Sequence, residues 1–114
     1  MIEIHDFTKN YGDVVAVDRL NLSIHEGEIF GFIGPNGAGK STTIRFLATL
    51  VNATYGDATI NGHSVRREPL AVRRAIGYMP DSFGVYERMN VGQFLEFFAV
   101  GYGLPRERRR RAID

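Results

Sequence analysis

The fold of this chain is decided by one stretch, Gly34-Pro35-Asn36-Gly37-Ala38-Gly39-Lys40-Ser41, which fills the pattern G-x-x-x-x-G-K-[ST] at every fixed position. Glycines let such a loop wrap an anion without Cβ clashes, and its N–H groups and the positive end of the next helix then point at that anion. Lys40 is expected to reach the β- and γ-phosphates, Ser41 to offer its hydroxyl to Mg²⁺, and Thr42 to meet a further phosphate. The motif therefore predicts a phosphate-binding loop (P-loop) for a nucleotide.

The segments on either side of this loop support that prediction. Residues 29–33 form a continuous apolar run, which is typical of a central strand covered on both faces. Between Lys40 and Val51, apolar residues recur at the spacing of an amphipathic helix, with Ile44 and Leu47 among them. A buried strand leading into the loop and a helix leaving it are the context that the motif requires, so we expect an α/β P-loop core.

Other strand-like segments predict an antiparallel β portion of this core. Residues 2–7 and 20–24 alternate apolar and polar side chains, as half-buried strands do. Asn61-Gly62 separates two short strand-like segments and predicts a hairpin with a type I′ turn, because that turn needs positive φ at both central residues. Residues 76–79 are predicted to form a further strand, which ends at Pro80.

Helix signals dominate the remainder of the chain. Pro69 is expected to open a short helix through Arg74. Asn90, with Gln93 three residues later, is a candidate N-cap with a capping box. The helix behind it carries an aromatic stripe that we expect to be core of a helical subdomain, formed by Phe94, Phe98 and Tyr102.

Composition excludes several classes of function. The chain has 114 residues, 14 Lys+Arg against 13 Asp+Glu, and no cysteine, so it offers no disulfide, cysteine metal site or thiol nucleophile. No stretch approaches the roughly 20 apolar residues that span a membrane, so a link to a membrane is expected to run through a partner. The arginine-rich block 106–111 follows Pro105 and lacks interleaved aromatic residues, which indicates a solvated helix and no nucleic acid as partner.

The P-loop stretch extended to Thr43, with Lys9-Asn10-Tyr11-Gly12 upstream and residues 76–80 downstream, closely resembles the ATP-binding subunit of ABC transporters. The sequence of residues 78–86 looks most like that of the ATPase partners of ABC-2-type exporters. The resemblance implies that residues 1–80 are the N-terminal part of the nucleotide-binding core and that 81–114 are the Q-loop region and the start of a truncated helical subdomain. It also implies transmembrane permease subunits and a second ATP-binding subunit as partners, and a cytoplasmic location on the inner face of the cell membrane.

The family's site maps onto this chain residue by residue. Tyr11 matches the aromatic residue that stacks on adenine, although a lone tyrosine is also a common turn or core residue. Asp81 stands where the family usually has the Q-loop glutamine, and it could bind Mg²⁺ beside Ser41 or simply form a Pro-Asp turn. The residues implied to bind ATP are Tyr11, Val17, Gly34, Asn36, Gly37, Ala38, Gly39, Lys40, Ser41, Thr42 and Thr43.

Three motifs of the family are missing from the sequence between Asp81 and Asp114. These are the signature Leu-Ser-Gly-Gly-Gln, the Walker B strand ending in Asp-Glu, and the switch histidine. Transfer of a phosphoryl group to water needs a group that positions the nucleophile, so we expect this chain alone to be inactive as an ATPase. We also expect unpaired backbone, exposed apolar surface beside the P-loop strand, and low stability.

Two alternatives to the transporter ATPase remain at this stage. One is a naturally short, non-hydrolysing nucleotide-binding or regulatory module. The other is a small P-loop kinase or GTPase, which is disfavoured because the sequence shows no guanine-reading Asn-Lys-x-Asp and no second substrate lid.

Overall fold

The structure is a computed structural model that describes residues 1–33, 39–80 and 90–113, without the side chains of Phe94 and Ile113. Its contacts divide the chain into two units, Met1–Tyr78 and Met79–Asp114. The assignment of 1–80 and 81–114 to two parts of a nucleotide-binding domain stays a prediction.

The first unit is built on a four-stranded antiparallel sheet. Its strands are β1 (Ile2–Tyr11), β2 (Val14–Ile24), β3 (Tyr55–Ile60) and β4 (His63–Ser64), in the order β2-β1-β3-β4. The strands predicted at 2–7 and 20–24 are thus present, and both are longer than their alternating segments. The antiparallel β portion expected from the sequence is confirmed.

Two helices, α1 (Lys40–Leu47) and α2 (Pro69–Ala75), complete the first unit. Phe46 of α1 stacks on Phe7 of β1, with ring centroids 4.2 Å apart and planes only 8° from parallel. Both rings are buried, so this contact fixes α1 against the sheet. The buried cluster consists of Ile4, Phe7, Val17, Phe46, Ala58, Ile60, Val65 and Val72.

The predicted hairpin is confirmed in detail. Asn61 has a φ of 51° and Gly62 a φ of 82°, which is the pair of positive values that a type I′ turn requires. Helix α2 likewise begins at Pro69, as predicted.

The P-loop helix is shorter than predicted, since it ends at Leu47 and not at Val51. Thr49 takes a φ of 67°, and the N–H groups of Thr49 and Leu50 close the helix end by donating to carbonyls of the preceding turn. Arg73 Nε of α2 donates to Thr49 Oγ1 at 2.6 Å, so the end of α1 is tied to α2.

Two predicted strands are wrong for this chain. Residues 29–33 are not a strand in the structure, and Ile29 and Ile33 are almost fully exposed. Residues 76–79 are also not a strand, although Ile76 packs against the core. A central strand needs neighbours on both sides, and the four strands of the described sheet provide none for either segment. The exposed apolar surface expected beside the P-loop is confirmed.

The second unit contains α3 (Val91–Gly101) and α4 (Arg106–Ile113). The predicted capping box at the start of α3 is confirmed, because Gln93 N donates to Asn90 Oδ1 at 2.8 Å and Asn90 N donates to Gln93 Oε1 at 3.0 Å. In α4, Arg109 Nε lies 3.1 Å from Glu96 Oε1 of α3. The other arginines of α4 are exposed, as predicted for a solvated helix.

The prediction that the aromatic stripe of α3 forms a core is wrong for the two members whose side chains are described. Phe98 and Tyr102 are both about half exposed, and Ala99 is the buried residue among those of this helix whose side chains are described. Helix α4 is rich in arginine and therefore offers little apolar surface against which an aromatic ring could be buried.

We predict that Gly62→Ala lowers the free energy of unfolding by about 1–2 kcal/mol, because an L-residue is strained at positive φ. A Cβ at Gly62 meets no atom within 4 Å, so the loss comes from the backbone alone. Gly77→Ala, which also meets nothing within 4 Å but has no positive φ, is the matched control. Urea unfolding should show a lower midpoint for Gly62→Ala only. Equal midpoints would contradict the assigned turn.

Glu68 joins the hairpin to α2. Its carboxylate accepts a hydrogen bond from Ser64 N at 3.2 Å, and Oε1 lies 3.4 Å from His63 Nδ1. The backbone bond from Ser64, and next the contact with His63, lower the pKa of Glu68 below its ordinary value of 4.5.

A carboxyl group whose pKa is lowered by folding adds stability above its unfolded pKa and loses it as the pH falls through the folded value. We therefore predict that Glu68→Gln makes the urea midpoint less sensitive to acid below pH 4.5, and that it lowers the midpoint at neutral pH. Glu26→Gln, at an exposed turn after β2, is the control. A Glu68→Gln variant with the acid response of the unsubstituted chain would refute this role.

Candidate nucleotide-binding site

The end of the P-loop lies directly against β2. Gly39, the residue before α1, has a φ of 83°. A Cβ built at Gly39 would lie 2.6 Å from the carbonyl oxygen of Ala16 and 2.7 Å from Cγ2 of Val17. Both the positive φ and the close approach therefore require glycine here. The structure brings Val17 and Gly39 into contact, although Val17 was implicated only through the family resemblance.

Thr43 secures this junction from the helix side. It is 2% exposed, its Oγ1 donates to Gly39 O at 2.8 Å, and its N–H donates to the same carbonyl at 2.9 Å. Its polar groups thus hold the helix start. This burial disfavours a direct contact between Thr43 and a ligand.

The first turn of α1 presents Lys40, Ser41 and Thr42 directly after Gly39. This turn contains no acidic residue, so nothing in it offsets the positive end of the helix dipole. The side chain of Ser41 is exposed and that of Lys40 is half-buried. A cationic side chain, the N–H groups at the start of a helix and an accessible hydroxyl form a set that suits phosphate oxygens and Mg²⁺.

Tyr11 lies at the end of β1, where half of its surface is exposed (50%). In the register of the sheet, Lys9 lies across from Val17 and Tyr11 across from Val14. Lys9 Nζ lies over the Tyr11 ring, 5.0 Å from its centroid. The sequence reasoning missed Lys9, although its spacing of two residues from Tyr11 on a strand is the signal that could have found it.

Several residues of the implied site lie outside the described part of the chain, namely Gly34, Asn36, Gly37, Ala38 and Asp81. Within the described residues, no group of three or more His, Cys, Asp or Glu side chains could hold a metal ion. Of the two residues implied to bind Mg²⁺, Ser41 is the one that lies within the described part of the chain.

A complete G-x-x-x-x-G-K-[ST] motif, whose last glycine lies against a sheet and is followed by a helix that begins Lys-Ser-Thr, defines a P-loop nucleotide-binding domain. A family profile described as ABC transporter matches residues 17–113. The chain therefore belongs to the ABC transporter family, and the resemblance seen in the sequence is confirmed.

Known proteins with similar sequences or structures support the assignment of this chain to the family. The probable multidrug ABC transporter ATP-binding protein YbhF of Escherichia coli (strain K12) is 41% identical over 104 residues, which are 91% of this chain and 18% of YbhF. A solved ATP binding subunit of an ABC transporter matches with a TM-score of 0.84 and 31% identity, over 96% of this chain and 46% of that protein.

A dimeric, post-hydrolysis structure of the ATP-binding cassette MJ0796 bound to ADP and Pi matches with a TM-score of 0.83 and 26% identity. The match covers 99% of this chain and 54% of MJ0796, so the chain spans about half of the solved cassettes that it matches. The α/β cassette fold is thereby confirmed. The described helices include none with the length and apolar character needed to cross a membrane.

We predict that Gly39→Ala lowers the free energy of unfolding by about 1–3 kcal/mol more than Gly62→Ala does. The φ values are nearly the same, 83° and 82°, but only the Cβ at Gly39 meets neighbouring atoms. The difference between the two variants' free energies of unfolding in urea isolates the cost of the contact between a Cβ at residue 39 and β2. Equal losses would show that β2 can move away from Gly39 without cost.

Proposed function

We propose that this chain binds MgATP and is the nucleotide-binding part of an ABC-type ATPase, whose intact form couples ATP hydrolysis to export across a membrane. The observation that carries the proposal is the junction of Gly39 with Ala16 and Val17, which fixes the start of α1 and its Lys40-Ser41-Thr42 turn. The solved cassette bound to ADP and Pi supports adenine nucleotide as the ligand.

Each part of the site has a distinct task in this proposal. The N–H groups of the first turn of α1 donate to phosphate oxygens, and Lys40 adds a full positive charge beside the β- and γ-phosphates. Ser41 supplies an oxygen ligand for Mg²⁺, which neutralises phosphate charge when it is bound. Tyr11 offers a ring face on which adenine can stack, a contact worth about 1–3 kcal/mol.

Hydrolysis, export and the partners belong to the intact protein in this proposal. The dimeric state of the MJ0796 cassette supports a second ATP-binding subunit, and the name of YbhF supports a multidrug type of export. Permease subunits that hold the protein at the inner face of the membrane follow from family membership. We assign Asp81, together with Ser41, to Mg²⁺ as part of the same proposal.

Lys40→Ala should weaken MgATP binding by about 1.5–3 kcal/mol, which is roughly ten- to over a hundredfold in Kd, because it removes a charge beside the phosphates. Arg45→Ala is the matched control, since Arg45 is an exposed cation in the last turn of the same helix. Isothermal titration of each variant with MgATP measures the change. If Lys40→Ala and the unsubstituted chain bound MgATP equally, the proposed function would be wrong.

A further inference from the structure

The ring of Tyr11 already has a partner on one of its faces. Lys9 Nζ lies 5.0 Å from the ring centroid, within the range at which an ammonium group is attracted to the ring quadrupole. Both residues belong to β1, and the half-exposed ring lies at the strand end. This contact therefore restricts the orientation of a side chain that would otherwise turn freely in water.

The register of the sheet places this pair on the side of the P-loop helix. Lys9 lies directly across from Val17, and directly opposed residues of antiparallel strands project their side chains to the same face. Val17 in turn closely approaches Gly39. A bulge between Lys9 and Asn10 changes the alternation of β1 at this point, and the distance of 5.0 Å shows that Lys9 and Tyr11 meet across it.

We propose that Lys9 is a positioning residue for base recognition: its ammonium group covers one face of Tyr11, holds the ring, and leaves the opposite face to the adenine base. This inference rests on the proposed function. A ring that is already oriented loses less conformational freedom when the base arrives, so part of the cost of binding is removed in advance. Lys9 thus acts on the base, whereas Lys40 acts on the phosphates.

The test compares a ligand with a base and a ligand without one. MgATP and inorganic triphosphate with Mg²⁺ are titrated into the unsubstituted chain, Lys9→Met and Lys9→Arg. Methionine keeps an unbranched apolar stem without the charge, and arginine keeps a cation over the ring. We expect Lys9→Met to weaken MgATP binding by about two- to fivefold, Lys9→Arg to stay within about twofold, and triphosphate binding to be unchanged in both. An equal loss for triphosphate would overturn the proposal, because Lys9 would then act on the phosphates.

A double-mutant cycle with Tyr11→Leu tests whether Lys9 works through the ring. In the Tyr11→Leu background, Lys9→Met should no longer change MgATP affinity, and a loss as large as in the presence of the ring would contradict the proposal. Urea unfolding checks that each variant folds, and Lys9→Gln replaces Lys9→Met if the latter does not. MgATP binding that depends on Lys40 but not on Lys9 would refute the role of Lys9 alone. MgATP binding that is independent of Lys40 would refute the proposed function itself.

Discussion

The close approach between the backbone of Gly39 and the Ala16–Val17 segment of β2 is the contact on which the site depends. It joins the last residue of the P-loop to the sheet, and a side chain at this position would separate them. Thr43 holds the same junction by donating twice to Gly39 O. Because a helix N-terminus favours an anion only within its first turn, the position of that turn on β2 determines where phosphate can bind.

Two contacts within the first unit hold the C-terminal end of this helix in place. Phe46 stacks on Phe7 near the middle of β1, and Arg73 of α2 donates to Thr49 just beyond the helix end. The side of α1 that packs on the sheet therefore sets the direction in which its N-terminus points. In this member of the ABC transporter family, the hydrophobic packing of α1 consequently determines where the phosphate-binding turn lies.

Two locally encoded features and the half-buried strands of β1 and β2 could be predicted from the sequence, whereas contacts between specific distant segments could not. The Asn61-Gly62 turn and the Asn90 capping box each depend on residues within three positions of one another, and both are confirmed. The predicted strand at 29–33 is wrong because an apolar run predicts burial but cannot supply the neighbour that buries it. Phe98 is exposed for the same reason. In the site, the motif predicted the phosphate-binding turn, but the contact of Gly39 with Val17 joins segments far apart in the chain and required the structure.

The exposed apolar run at 29–33 also governs how the chain behaves in solution. Ile29 and Ile33 face water on a segment that has no strand beside it in the described sheet, so its backbone can pair with the same segment of another molecule. Such intermolecular β-pairing increases with concentration, whereas unfolding of a monomer does not. Pairing through this run would therefore limit the concentration at which the chain stays monomeric, and charged residues placed beside the run would raise that limit.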